Sequence, residues 1–173
     1  MRVFDAAALL DGNEAALADA IDELSPELYR YAASILLSTV DAPDAVQTAF
    51  VKLWLNRKNI RDPDSVRSYL YRCTLRACVD IMRQQKYYIV PPVKPEERPM
   101  REDLARAMEK LSAEDRAIFY ERAVEDTPYA DLAKRLGMHE ATVRKKYERT
   151  KKKLAVMLSP HEKRREDHET VIQ

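Results

Sequence analysis

The chain has 173 residues, of which 34% are charged and 46% hydrophobic, and its formal net charge is +1. Its only glycines are Gly12 and Gly137. That excludes the glycine-clustered loops that bring backbone close to phosphate in dinucleotide and P-loop folds. No stretch approaches the roughly 18 apolar residues needed to span a bilayer. The start, MRVFDAAALLDGNE, lacks the basic and long apolar segments of a secretory signal, so no membrane insertion and a cytoplasmic location are expected. An abundance of Ala, Leu, Lys, Arg and Glu with so little Gly points to an all-α chain.

Charge is unevenly distributed. Residues 1–51 carry net −7, residues 52–88 net +6, residues 104–133 net −3 and residues 134–157 net +7. Two separate basic blocks suit two contacts with a polyanion, although charge blocks also simply solvate helix faces.

Along the chain, residues about 5–10, 13–23 and 26–38 read as amphipathic helices. Leu28, Ala32, Ile35 and Leu36 share one stripe of the third. Asp41 offers an N-cap with Asp44 three residues on, and Pro43 sits in the tolerant first turn. The helix that follows is expected to bury Val46, Ala49, Phe50, Leu53 and Trp54, leaving Asp44, Gln47, Thr48 and Lys52 on its other face. The segment NIRDPDS is a turn, with Pro63 as breaker and Asp64 or Ser65 as cap.

A helix over about 65–87 then places Val66, Leu70, Cys73, Ala77 and Ile81 on one side. Arg72, Arg76, Arg83 and Lys86 lie opposite, with Ser65, Ser68 and Tyr69 beside them. A basic stripe bordered by an aromatic suits a nucleic-acid backbone with bases free to stack. Cys73 and Cys78 diverge on that helix, so they form neither a disulfide framework nor a metal motif, and Cys73 reads as core.

Residues 89–101, IVPPVKPEERPMR, hold Pro91, Pro92, Pro95 and Pro99. Such a segment is an extended linker. It separates domains expected at 1–88 and 102–158, and a polar tail follows at 159–173. The second domain opens with a helix near 102–110. Ser112 then caps a helix that buries Ile118 and Phe119, and Thr127-Pro128 is a further start signal. A helix from Tyr129 to Leu136 ends at Gly137, where a left-handed cap is needed. A long helix follows to about Leu158. Helix, short glycine turn and helix make a helix-turn-helix pattern.

In the last helix Val143, Tyr147, Thr150, Leu154 and Met157 form the inward stripe. Lys145, Glu148 and Lys152 centre the opposite face, flanked by Arg144 and Arg149. Arg or Lys there reads guanine edges, neighbouring Lys meets phosphate, and Glu148 accepts from a cytosine amine or orients an Arg. His139, His161 and His168 have no paired ligand spacing. No metal, cofactor or enzyme chemistry is expected.

The ordered blocks DAPDAVQTAFVKLW, RDPDSVRSYLYRCTLRACVDIMRQQK and LSAEDRAIFYERAVEDTPYADLAKRLGMHEATVRKKYERTKKKL resemble the bacterial extracytoplasmic-function (ECF) sigma factors. The resemblance implies a sigma region-two-like helical bundle and a region-four-like helix-turn-helix joined by the Pro-rich linker. It implies core RNA polymerase and promoter DNA as partners, and a possible anti-sigma factor. Asp44, Gln47 and Lys52 would dock on the polymerase clamp helices. Arg61, Ser65, Ser68, Tyr69, Arg72, Arg76, Arg83 and Lys86 would open and read the −10 element. Arg144, Lys145, Glu148, Arg149 and Lys152 would serve the −35 element.

Three positions depart from the family's common pattern. Arg76 stands where many members have Asn, His139 where many have Ser, and Lys145 where a small Ser is common. The residues taken alone also fit a stand-alone helix-turn-helix regulator, or a sigma-like protein that binds polymerase or an anti-sigma factor without starting transcription.

Overall fold

The structure, a computed structural model, describes residues 4–85 and 102–159. Lys86, the expected linker 89–101, and the tail from residue 160 with His161 and His168 lie outside the described residues. The described part is helical throughout. In chain order the elements are α1 (Ala6–Leu10), α2 (Glu14–Leu36), α3 (Ala42–Asn56), a single 3-10 turn (Arg57–Asn59), α4 (Ser65–Gln85), α5 (Glu102–Glu109), α6 (Ala113–Ala123), α7 (Tyr129–Leu136) and α8 (Glu140–Leu158).

The two helices expected at 13–23 and 26–38 are one helix, α2, with Pro26 inside it. Proline there withholds one backbone donor. The helix runs through because Leu24, Leu28, Tyr31, Ala32 and Ile35 lie on one continuous stripe and are all buried. Each fully buried Leu or Ile contributes about 1.5–3 kcal/mol, which outweighs one lost hydrogen bond of about 1 kcal/mol. Asn13 caps its start by accepting from the backbone N–H of Ala15 and Ala16. Leu37, at φ 55°, ends it.

Asp41 does not cap α3. Its backbone is already helical and its side chain makes no cap bond. Its carboxylate instead accepts from Gln85 Nε2 at 3.0 Å, tying the start of α3 to the end of α4. In α4 the buried face is wider than the expected stripe. It includes Ser68, Tyr71, Thr74 and Cys78 besides Val66, Leu70, Cys73 and Ala77, whereas Ile81 is half-buried. The reason is position: α4 packs against α2, α3, α6 and α7 at once.

In the second half Ser112 caps α6 as expected, accepting from the Asp115 N–H at 3.1 Å. Thr127 does not cap α7. It is buried, and its hydroxyl donates to Glu121 Oε2 at 2.9 Å. Gly137 closes α7 at φ 67°, a conformation L residues adopt only at a penalty. His139 occupies the N-cap of α8 without a side-chain bond.

Ile118, Leu132, Ala133 and Val143 form the helix-turn-helix core. Phe119 is half-buried and stacks on Tyr147 with ring centroids 6.2 Å apart. Met157, expected inside, is exposed at 37%. The inner face of the last turn is carried by Leu154 and Leu158, which pack on Met108 and Leu111 of the second half, and Met157 lies beside that stripe.

The halves are packed together. Ala113 and Ala117 of α6 belong to the same apolar core as α2, α3 and α4. Arg116 is only 5% exposed. It donates through Nη1 to the Ile35 carbonyl at 2.6 Å, through Nε to Met108 O at 2.9 Å and through Nη2 to Glu109 O at 2.9 Å. Arg135 of α7 pairs with the buried Glu121 and lays its guanidinium over the Tyr71 ring, 4.4 Å from the centroid.

Candidate nucleic-acid interface

The 3-10 turn after α3 and the first turns of α4 enclose a cleft of about 470 Å³. Asn56, Asn59, Arg61, Asp62, Ser65, Tyr69 and Arg72 line it. The turn forms because Arg57 folds back, donating to the Trp54 carbonyl while its guanidinium stacks 4.0 Å over the Trp54 ring. Asp62 then arrests the chain. Its carboxylate accepts from Asp64 N–H at 3.1 Å, and its carbonyl accepts from the Ser65 hydroxyl at 2.7 Å. Ser65 is therefore the first helical residue of α4, with its hydroxyl turned back on the loop.

Four of the residues expected at the −10 element, Arg61, Ser65, Tyr69 and Arg72, thus meet in one concavity. Tyr69 is half-buried with its hydroxyl 3.5 Å from the Lys52 carbonyl, and desolvation raises its pKa. Its side chain lines the cleft. Arg72 reaches across to the second half, donating to the Lys134 carbonyl at 3.3 Å.

Arg76 and Arg83 are exposed further along α4, and Arg83 lies 3.8 Å from Asp80. With Lys52, Arg72, Glu114 and Leu136 they line a second cleft between the halves, about 430 Å³. Ser68, expected beside them, does not join this surface. It is 7% exposed, turned inward because the buried arc of α4 extends past the predicted stripe, so it is not available to DNA in this arrangement.

Asn56 and Asn59, which the sequence reading passed over, line the first cleft. Their signal was the polar pair flanking the basic Arg57-Lys58 at the end of an otherwise apolar helix.

The exposed ridge of α3 is Asp44, Gln47, Val51 and Leu55, at spacings of three and four. Lys52 does not share it. It faces α4 and the inter-half cleft, so the expected trio is not brought together. Gln47, Val51 and Leu55 instead border an apolar groove of about 520 Å³ between α2 and α3, with Ile21, Tyr29 and Trp54. Val51 and Leu55 are 51% and 72% exposed. Exposed apolar residues in a row mark an interaction surface. Their signal was visible: α3 is apolar on two faces.

On α8, Arg144, Lys145, Glu148, Arg149 and Lys152 are all exposed on the outer side, as expected. They differ in their surroundings. Arg144 pairs with Glu140 at 2.8 Å and lies 4.6 Å over the Tyr129 ring. Glu148 pairs with Lys151 at 3.2 Å. Arg149 lies 3.7 Å from the buried Asp115. Lys145 and Lys152 make no ion pair with another described residue, which leaves their charge open to phosphate.

Cys73 and Cys78 are free thiols, both buried, and burial pushes Cys78 up to about 12. Neither is a reactive thiolate. Among the described residues no cluster of His, Cys, Asp or Glu is arranged to hold a metal ion, and no helix is long and apolar enough to cross a membrane.

A helix-turn-helix with a basic reading helix, set against a bundle with a basic, aromatic-lined cleft, defines a helical DNA-binding protein. The chain matches sigma-70 region 2 over residues 20–87 and sigma-70 region 4 over residues 101–154. It is 25% identical over 154 residues to the RNA polymerase sigma factor SigV of Bacillus subtilis, covering 84% of this chain and 93% of that protein. It is 29% identical over 140 residues to the ECF RNA polymerase sigma factor SigM of Mycobacterium tuberculosis, covering 76% and 71%. Among solved structures it resembles CnrH in complex with the cytosolic domain of CnrY, with TM-score 0.68 and 26% identity over 88% of this chain and 94% of that one. The fold is also that of RpoE in complex with the anti-sigma factor NepR from Bartonella quintana, with TM-score 0.61 and 21% identity over 81% and 96%.

The chain belongs to the sigma-70 family, as a sigma factor of the ECF type. It binds core RNA polymerase and directs transcription initiation at −10 and −35 promoter elements. A stand-alone regulator is not favoured, because the match runs through the first half as well as the helix-turn-helix.

Proposed function

We propose that three surfaces divide the work of this sigma factor. The observation that carries the assignment is the gathering of Arg61, Ser65, Tyr69 and Arg72 with Asn56 and Asn59 around one cleft. There a single unstacked base of the −10 element would lie against Tyr69 and be read by the amides, while Arg61, Arg72, Arg76 and Arg83 hold the displaced strand. The outer face of α8 takes the −35 element, with Arg144 and Arg149 at base edges and Lys145 and Lys152 on phosphate. The ridge Asp44, Gln47, Val51 and Leu55 and its groove take the polymerase, and Lys52 belongs with the DNA side. The domains divide at 1–88 and 102–158, with 89–101 as linker and 159–173 as tail. The chain's part is recognition, not catalysis, and its place of work is the cytoplasm beside the polymerase.

The packed arrangement fits a resting form. Elements at −10 and −35 lie about 25 base pairs apart, roughly 85 Å at 3.4 Å per base pair. A compact chain of this length has a radius of gyration near 16 Å. The halves must therefore part for both elements to be held. The solved structures the chain resembles are sigma factors in complex with anti-sigma factors, and this supports an anti-sigma factor as the partner of the packed form.

The test is co-elution of the full chain with core RNA polymerase, followed by run-off transcription from a promoter screen. Stoichiometric binding with promoter-dependent transcripts is expected, and Tyr69→Ala should weaken melting while sparing assembly. Failure to assemble with polymerase, or unaided footprinting of a palindrome, would overturn the reading.

A further inference from the structure

The ring of Tyr129, at the first position of α7, is approached by two guanidinium groups. Arg144 of α8 stands 4.6 Å from its centroid and Arg122 of α6 stands 5.0 Å from it. Each cation is held a second time by a carboxylate: Arg144 by Glu140 one turn earlier at 2.8 Å, and Arg122 by Asp126. Tyr129 is itself packed against Tyr147, edge to face at 6.1 Å. Tyr147 in turn stacks on Phe119. The half-buried ring is thus held by a second aromatic and contacts two cations.

An arginine on a solvent-facing helix samples many rotamers, and fixing it for a bidentate base contact opposes binding. A guanidinium over an aromatic face keeps its charge while its plane is set by the ring, with its donors pointing past the edge. The carboxylate of Glu140 adds a second restraint. Arg149 has no such platform and Lys145 has none, so Arg144 is the one candidate reader on α8 whose direction is set in advance.

We propose that Tyr129 is a positioning residue for promoter choice, a platform that fixes Arg144 for one base pair of the −35 element. The proposal rests on the assignment of α8 to the −35 element. It separates the residue that touches the base from the one that makes the contact selective.

The experiment uses holoenzyme reconstituted from the full chain and core polymerase. Run-off transcription is measured on a promoter and on each single-base change in its −35 element. The variants are Tyr129→Phe, Tyr129→Leu and Arg144→Ala, together with Tyr129→Leu combined with Arg144→Ala. Thermal melts select conditions under which all are folded. Arg144→Ala is expected to erase discrimination at one position by about tenfold. Tyr129→Leu should lose most of that discrimination at the same position, Tyr129→Phe should keep it, and Tyr129→Leu should add nothing once Arg144 is gone. A uniform loss on every −35 sequence, or an equal loss with Phe and Leu, would assign Tyr129 to plain packing and overturn the proposal. Loss with Arg144→Ala but none with Tyr129→Leu overturns the platform alone. No loss with Arg144→Ala overturns the reader as well.

Discussion

Arg116 on α6 donates to the carbonyl of Ile35, near the end of α2, at 2.6 Å. Its other donors take the carbonyls of Met108 and Glu109. One buried cation therefore closes the end of α5 and joins the two halves, at a site where helix carbonyls otherwise lack partners. Desolvation lowers its pKa, which leaves a group of this type charged in ordinary solution. Arg116→Ala strands several carbonyls and opens a void, so a loss of about 3–5 kcal/mol is expected. Arg116→Lys, with fewer and differently placed donors, should recover part of it. Urea unfolding of both variants checks the order.

Separation of the halves should be visible directly. Polymerase binding is expected to lengthen the distance between labels placed on the exposed Asp80 of α4 and Lys153 of α8, as read by energy transfer. An unchanged distance in an active holoenzyme would contradict an opening step.

Tyr69→Ala should remove a stacking partner worth about 1–3 kcal/mol. Strand opening at −10 should then fall by roughly ten- to a hundredfold, read by permanganate footprinting, with little change in −35 binding. Asn59→Ala should alter the preferred −10 base without a comparable loss of assembly. An identical base profile across a −10 library would remove Asn59 from recognition.

The basic residues of α8 should separate by salt. Lys152→Ala is expected to weaken promoter binding alike on matched and scrambled −35 sequences and to lower the salt slope by about one. Arg149→Ala should also reduce stability, because Arg149 helps neutralise the buried Asp115. Melting temperature and promoter affinity together distinguish the two effects.

Glu121 gives a pH signature. Its carboxyl is 1% exposed, and desolvation raises its pKa from 4.5, against the lowering effects of Arg135 and Thr127. A carboxyl with a raised folded pKa contributes most below its unfolded value and loses that contribution as pH rises through the folded value. Glu121→Gln keeps an acceptor for Thr127 and Arg135 without the charge. The variant should therefore gain on the wild type as pH rises from about 4 to 7, measured by unfolding at each pH. A constant difference would show that Glu121 does not titrate there.

Val51→Asp on the ridge of α3 should weaken polymerase binding by at least tenfold with the melting temperature nearly unchanged, since Val51 is half exposed and outside the core. Asp44→Arg with Gln47→Ala should act in the same direction. Normal assembly by both would move the docking surface elsewhere.

Much of this was legible from short-range chemistry. The Ser112 cap, the Gly137 turn and the periodicity of α8 each depend on residues within one or two turns, and local sterics and hydrogen bonding act over that range. The outer face of α8 and the core residues Leu28, Ile35, Leu53, Leu70 and Leu154 followed from the 3.6 period alone.

Contacts between distant segments were not legible, because periodicity reports one buried face and not how many neighbours a helix has. Four partners around α4 drew Ser68 and Tyr71 inside. A continuous core carried α2 through Pro26. Thr127 and Asp41, each a good cap in sequence, were taken by Glu121 and Gln85 from other elements. The packing of α4 likewise turned Lys52 away from Asp44 and Gln47. The sequence settled which residues are apolar, charged or able to cap. Tertiary packing decided which partner each one meets, because a polar group's best partner is set by what the fold brings within hydrogen-bond reach.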